Sequence, residues 1–177
     1  MTSTEGALST ASPKSNGKLK GVVGETVVYA AHGVGKIVAR EQTKVDGTDR
    51  DSVVVDLATG LQVTLPHADA MERLRPVAGA SDLKDVQRVL ASGPQERTGR
   101  WTERHRESKA KLAGGRVTDL AELVRDGDSS NRATRLSPAE HNLYSQARSL
   151  LVREVALARG IDEDEAETWI DAQLGGS

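Results

Sequence analysis

Leu61-Gln62-Val63-Thr64-Leu65 alternates apolar and polar side chains with a period of two, whereas Leu83, Val86 and Leu90 recur at helical spacing. The change of period falls at Val77–Ser81, and it divides the chain. Before it, Val22-Val23, Val27-Val28-Tyr29, Ile37-Val38 and Val53-Val54-Val55 are further short β-branched runs. Gly24, Gly33, Gly35, Gly47 and Gly60 punctuate them, and Asp46-Gly47 is a hairpin signal, because both positions tolerate a left-handed backbone. With Leu61–Leu65 this makes five short strands, enough for a small closed barrel without free edges.

After Ser81 the pattern is helical throughout. The first helix stops near Gly93-Pro94, and a polar helix carries Trp101. Val117, Leu120, Ala121 and Val124 form the apolar stripe of a third helix, with Gly127 just beyond. Ser137-Pro138-Ala139-Glu140 opens a fourth with an N-cap, a first-turn proline and a capping-box glutamate. That helix ends at Gly160, and Asp162-Glu163-Asp164-Glu165 begins a fifth bearing Ala166, Trp169, Ile170 and Leu174. The expected fold is α+β: a β-barrel over residues 19–77, then an all-α five-helix domain over 81–174. Residues 1–18 are rich in Ser, Thr, Gly and Lys, and read as a disordered tail that buries too little to offset its ordering entropy.

The net charge of −2 conceals an asymmetry: Arg97–Arg116 holds seven Lys/Arg against two Glu, while Gly160–Ser177 holds six Asp/Glu and no Lys or Arg. This points to a basic binding face and an acidic last helix, unless the two sets of charges pair within the fold. With no cysteine there is no disulfide, thiolate metal site or thiol catalysis. No apolar run approaches the ~18 residues that span a bilayer, and no membrane association is expected.

Trp101 lies in the most basic stretch, Arg97-Thr-Gly-Arg-Trp-Thr-Glu-Arg-His-Arg-Glu-Ser-Lys-Ala-Lys111, in a chain with only two Trp, two Tyr and no Phe. Between Trp101 and Leu112 only Ala110 is apolar, so this helix has no apolar stripe of its own. A flat ring among arginines suits a polyanion with stackable bases. Arg100, Trp101, Arg104, His105, Arg106 and Lys109 are therefore the candidate DNA-binding residues. The alternative is that Trp101 covers the edge of a small core. Trp169, at helical spacing with Ala166 and Ile170, reads as core, and Tyr144 as core-edge packing.

Little else suggests chemistry. His32-Gly33-Val34-Gly35-Lys36 lacks the rest of a phosphate loop and reads as a tight turn between the first two strands. The four histidines have no metal-ligand spacing, and no acid/base pair stands out among the carboxylates. No catalytic residue, metal or cofactor is expected.

In order along the chain, Gly24-Glu-Thr-Val-Val-Tyr29-Ala-Ala-His32-Gly33-Val-Gly35, Trp101-x-x-Arg104, Lys111-Leu112, Val117-x-x-Leu-Ala-Glu-Leu-Val-Arg-Asp126 and Leu136-Ser-x-x-Glu140-x-x-Leu143-x-x-Ala147-x-x-Leu-Leu-x-x-Glu154 resemble the CarD/CdnL family of bacterial RNA-polymerase-binding transcription regulators. The resemblance spans about Leu19 to Leu174. It implies a Tudor-like or SH3-like barrel that docks on the polymerase β subunit, through Lys44, Val45 and Thr64 here. It also implies a helical domain that meets promoter DNA at the upstream edge of the transcription bubble, where the residue matching Trp101 wedges into the minor groove. Such a protein is cytoplasmic, associated with the nucleoid through polymerase, a monomer when free, and largely indifferent to DNA sequence.

Three positions depart from the family pattern. Glu103 stands where a basic residue is common and should weaken DNA contact. Thr43 and Thr64 stand where polymerase-facing basic residues are common, with Lys44 the nearest substitute for the first. Gly127 and Ser129-Ser130-Asn131 interrupt a segment, Asp126–Arg135, that relatives extend as helix, so a loop is expected there. Glu103 and the acidic last helix favour a second reading, a protein-only adaptor that docks on polymerase and recruits another protein. A similar barrel occurs in transcription-repair coupling factors, but no helicase motif is present here.

Overall fold

The computed structural model describes residues 18–96 and 98–175. Of the N-terminal tail, all but Lys18 lies outside the described residues. Five strands, β1 (Thr26–Tyr29), β2 (Gly33–Val45), β3 (Thr48–Leu57), β4 (Gln62–Pro66) and β5 (Leu74–Pro76), form one antiparallel sheet in the order β4-β3-β2-β1-β5. A short helix, α1 (His67–Arg73), links the two outer strands and packs on β3, β4 and β5. Val27, Ile37, Val53, Val55, Leu57, Leu65, Ala70 and Leu74 fill this Tudor-like unit. Ala70 comes from α1, so the helix closes the seam with a side chain of its own.

The strand assignments shift in three places. Val22-Val23 is not a strand. There the backbone turns around the Glu25 carboxylate, which accepts from the N–H groups of Lys20, Gly21 and Val22 at 2.8–3.3 Å. The fifth strand is instead Leu74–Pro76, too short to show a period. The turn between the first two strands is Ala30–His32, and Gly33-Val34-Gly35-Lys36 lies within β2. Gly35 is required in the strand because a Cβ would stand 2.7 Å from the Asp56 carbonyl oxygen and 2.9 Å from Val55 Cγ1. The expected Asp46-Gly47 hairpin is present: Val45 pairs with Thr48, and Asp46 and Gly47 take φ of 52° and 77°.

Five helices follow: α2 (Ala80–Ala91), α3 (Trp101–Gly114), α4 (Val117–Ala133), α5 (Pro138–Arg159) and α6 (Glu163–Leu174). Their core includes Val86, Leu90, Leu120, Val124, Leu151, Val155 and Ile170. The capping box at Ser137 forms as the sequence implies, with Ser137 N–H donating to Glu140 Oε2 at 3.0 Å. Asp162 opens α6 in the same way.

The expected loop over Asp126–Arg135 is not there, because α4 runs through it to Ala133. Gly127 is a packing residue: the Tyr144 ring of α5 occupies the space its Cβ would fill. A glycine that costs helix propensity is thus repaid by helix–helix approach, and Tyr144 sits at the core edge as expected. Trp169 is only half-buried, packed on the core with the Arg159 guanidinium 4.9 Å from its ring centroid. Three acidic residues of α6 pair with α5 arginines: Arg148 with Asp171 at 2.6 Å and Glu167 at 3.6 Å, and Arg153 with Glu163 at 3.7 Å. Part of the charge asymmetry along the chain is therefore neutralised within the fold.

The two halves meet through charged and apolar contacts. Val28, Val34 and Val77 cluster against Ala158 of α5. Arg75 of β5 donates to Glu154 of α5 and to the carbonyl of Gly115, the residue that ends α3. Gly115 has φ of 64° and lies against the Ala30 backbone, where a Cβ would stand 2.5–2.8 Å from three Ala30 atoms.

Candidate nucleic-acid interface

Helix α3 is built as its sequence implies. Leu112 is its one buried residue, and Lys111 pairs with Glu122 of α4 at 2.5 Å. Contacts at its ends hold it, since it lacks an apolar stripe. The C-terminal end rests on Ala30 and Arg75 as described. The N-terminal end is organised by Glu103, whose carboxylate accepts from Arg100 N–H at 3.4 Å. Glu103 therefore has a local capping task, which accounts for a carboxylate in this basic stretch.

Trp101 begins the helix and is 44 % exposed, outside the helical core. One ring face is covered by His105, stacked at 4.9 Å between centroids and 8° from parallel. The indole Nε1–H donates to Glu140 Oε1 at 3.2 Å, across to the first turn of α5. Trp101, His105, Leu123, Leu136, Leu143 and Tyr144 line a shallow groove between α3, α4 and α5. The ring thus presents apolar surface to solvent while its single hydrogen-bonding group is already satisfied.

The other predicted DNA-binding residues divide. Arg104 flanks the ring, and its Nη1 donates to the Gly99 carbonyl at 2.6 Å, which fixes the guanidinium near the start of the helix. Several of its five donors remain for a phosphate. Arg100 immediately precedes the ring and is exposed. Lys109 is exposed about 80° around the helix from Trp101, whereas Arg106 is about 140° away and does not share its face. Trp101, Arg104 and His105 are the group the fold brings together.

The predicted polymerase-facing residues divide as well, by strand parity. Val54 pairs with both Thr64 and Ala39, and Thr48 pairs with Val45, so Thr64, Val45, Thr43 and Arg50 share one face of the sheet. Lys44 pairs with Asp49 and points to the other face. The cation beside Thr43 is its cross-strand partner Arg50, on β3. Arg50 is next to Thr43 in the sheet and seven positions away in the chain, so sequence order alone does not bring the two together.

Among the described residues no helix is long and apolar enough to cross a membrane, and no cluster of side chains could hold a metal ion. Two family models match the chain: the CarD-like/TRCF RID domain over residues 22–78 and the CarD C-terminal domain over residues 85–171. The protein described as "Putative transcription factor YdeB" of Bacillus subtilis (strain 168) is 24% identical over 149 residues, covering 83% of this chain and 97% of its own length. Both matched regions coincide with the two structural halves, strands first and helices second, and the chain belongs to the CarD family.

Proposed function

We propose that this protein is a transcription regulator that docks on the RNA polymerase β subunit through its sheet and places Trp101 against promoter DNA at the upstream edge of the bubble. The bound complex keeps the opened duplex from reannealing. The observation that carries this reading is the state of Trp101: a large ring, exposed on a polar basic helix, with its N–H satisfied internally. Inserting such a ring beside a base step exchanges a few kcal/mol of stacking for a distorted duplex held against protein. An indole whose N–H entered the stack unpaired would add a desolvation cost, and Glu140 removes it. Arg100 and Arg104 supply phosphate contacts that are indifferent to sequence.

The adaptor reading rests on Glu103 and the acidic last helix; Glu103 also caps α3, and Glu163, Glu167 and Asp171 of α6 pair with α5 arginines. An open-complex lifetime assay with cognate polymerase, with and without the protein, tests the proposal. A longer lifetime is expected on slow-opening promoters. Polymerase binding with an unchanged lifetime would return the protein to the adaptor class.

A further inference from the structure

Glu140 carries two duties with two oxygens. Its Oε2 accepts from Ser137 N–H at 3.0 Å and from Ser137 Oγ–H at 2.7 Å, which closes the N-terminus of α5. Its Oε1 accepts from the Trp101 indole N–H at 3.2 Å, 39 positions away in sequence. A capping glutamate needs only the first contact. The second fixes the azimuth of a side chain that has only two rotatable bonds and that His105 already holds by one face.

We infer that Glu140 is a positioning residue for the Trp101 wedge: the carboxylate that caps α5 also sets the angle at which the ring leaves the protein surface. The inference rests on the function proposed above. Because the carboxylate is fixed by Ser137, the ring takes its orientation from the rigid start of α5 and not from α3 alone. With the Arg75 contact at the other end of α3, the ring is referenced to both halves of the molecule. A preset ring spends less of its interaction energy on ordering when it meets DNA.

Glutamine separates the two duties: its one carbonyl oxygen serves the Ser137 backbone N–H as in an ordinary capping box, and the amide NH2 left facing the indole donates and cannot accept. The experiment uses the full-length chain labelled with nitrogen-15, in which the two indole N–H resonances are assigned by the loss of one in Trp101→Phe. In Glu140→Gln the Trp101 indole resonance is expected to move upfield and exchange faster with water, while that of Trp169 stays in place. With polymerase and promoter, Glu140→Gln should shorten the open-complex lifetime roughly fivefold, the factor one net hydrogen bond carries. Trp101→Phe keeps a ring and loses the N–H, so it should give a similar loss, and the double variant no further loss. An unmoved indole resonance, or losses that multiply in the double variant, overturns the inference. A lifetime that falls in Trp101→Ala but not in Glu140→Gln also overturns it. A lifetime untouched by Trp101→Ala overturns the DNA reading instead, and the resonance then decides the positioning contact alone.

Discussion

Arg75 and Glu154 form a two-pronged ion pair across the junction of the two halves, with Nη1 2.5 Å from Oε1 and Nη2 2.8 Å from Oε2. Glu154 is 1 % exposed and also accepts from Ala78 N–H at 2.9 Å, so one carboxylate holds both the end of the sheet and the chain that leaves it. Removing it leaves the buried Ala78 amide without its acceptor and takes from Arg75 the carboxylate that balances its charge, with only backbone carbonyls left to it. Glu154→Ala should cost on the order of 3 kcal/mol in a denaturant titration, because a half-broken buried pair is worse than none. A loss below about 1 kcal/mol, in the range of surface pairs, would show that water replaces the carboxylate freely.

Trp101→Ala should leave the melting transition nearly unchanged and polymerase binding intact, while open-complex lifetime falls toward its protein-free value. The ring is outside the core and 44 % exposed, so its truncation removes the His105 and Glu140 contacts and widens a surface groove without opening the packed interior. A core tryptophan would cost roughly 3–5 kcal/mol. Trp169→Ala is the internal comparison: half-buried on the helical core, it should destabilise measurably without a matching effect on promoter complexes.

DNA binding by the free protein should be weak, since few cations surround the ring, and should fall with added salt along a slope set by those few phosphate contacts. Arg104→Ala should flatten the salt slope while leaving the wedge in place. Anisotropy titrations at several salt concentrations check this. Tight, salt-insensitive binding to one sequence would mean that the surface reads base edges.

The order of strands and helices was legible because hydrophobic period reports which face is buried, and both halves have one clear interior. Trp101 was legible for the complementary reason, as a large ring on a helix with no face to bury. Two kinds of feature escaped. Gly127 looked like a helix end because a glycine that makes room for a ring has the same letter as one that stops a helix; only the position of Tyr144 tells them apart. Arg50, Glu140 and the Arg75–Glu154 pair escaped because each depends on a partner brought near by register or tertiary packing. Glu103 has in addition a local capping bond to Arg100 N–H, which its charge alone does not reveal.

Gly127→Ala should destabilise the protein although alanine is the better helix former. Propensity favours the change by about 1 kcal/mol. Against it, the new methyl meets the Tyr144 ring, which must leave its seat against α4, and overpacking of this kind costs roughly 1–3 kcal/mol. Combining it with Tyr144→Ala should recover part of the loss. A Gly127→Ala protein more stable than wild type in chemical denaturation would show that the helices can part without penalty.

Docking on polymerase should follow the face of the sheet and not the count of basic residues in the sequence. Thr43, Val45, Arg50 and Thr64 share one face, and Lys44 lies on the other beside Asp49. If that first face meets the β subunit, Arg50→Glu should weaken binding at least about tenfold, as truncating and reversing an interfacial charge commonly does. Thr64→Arg should strengthen it by adding a cation at an exposed position of the edge strand β4. Lys44→Glu should have a small effect that disappears with added salt, since its charge is felt only at a distance. All three positions are exposed, so the variants should fold alike, and a binding titration against the β subunit compares them directly. Should Lys44→Glu prove the most damaging of the three, the opposite face of the hairpin is the one that docks, and Arg40, two residues from Gln42 on that face, becomes the next position to change.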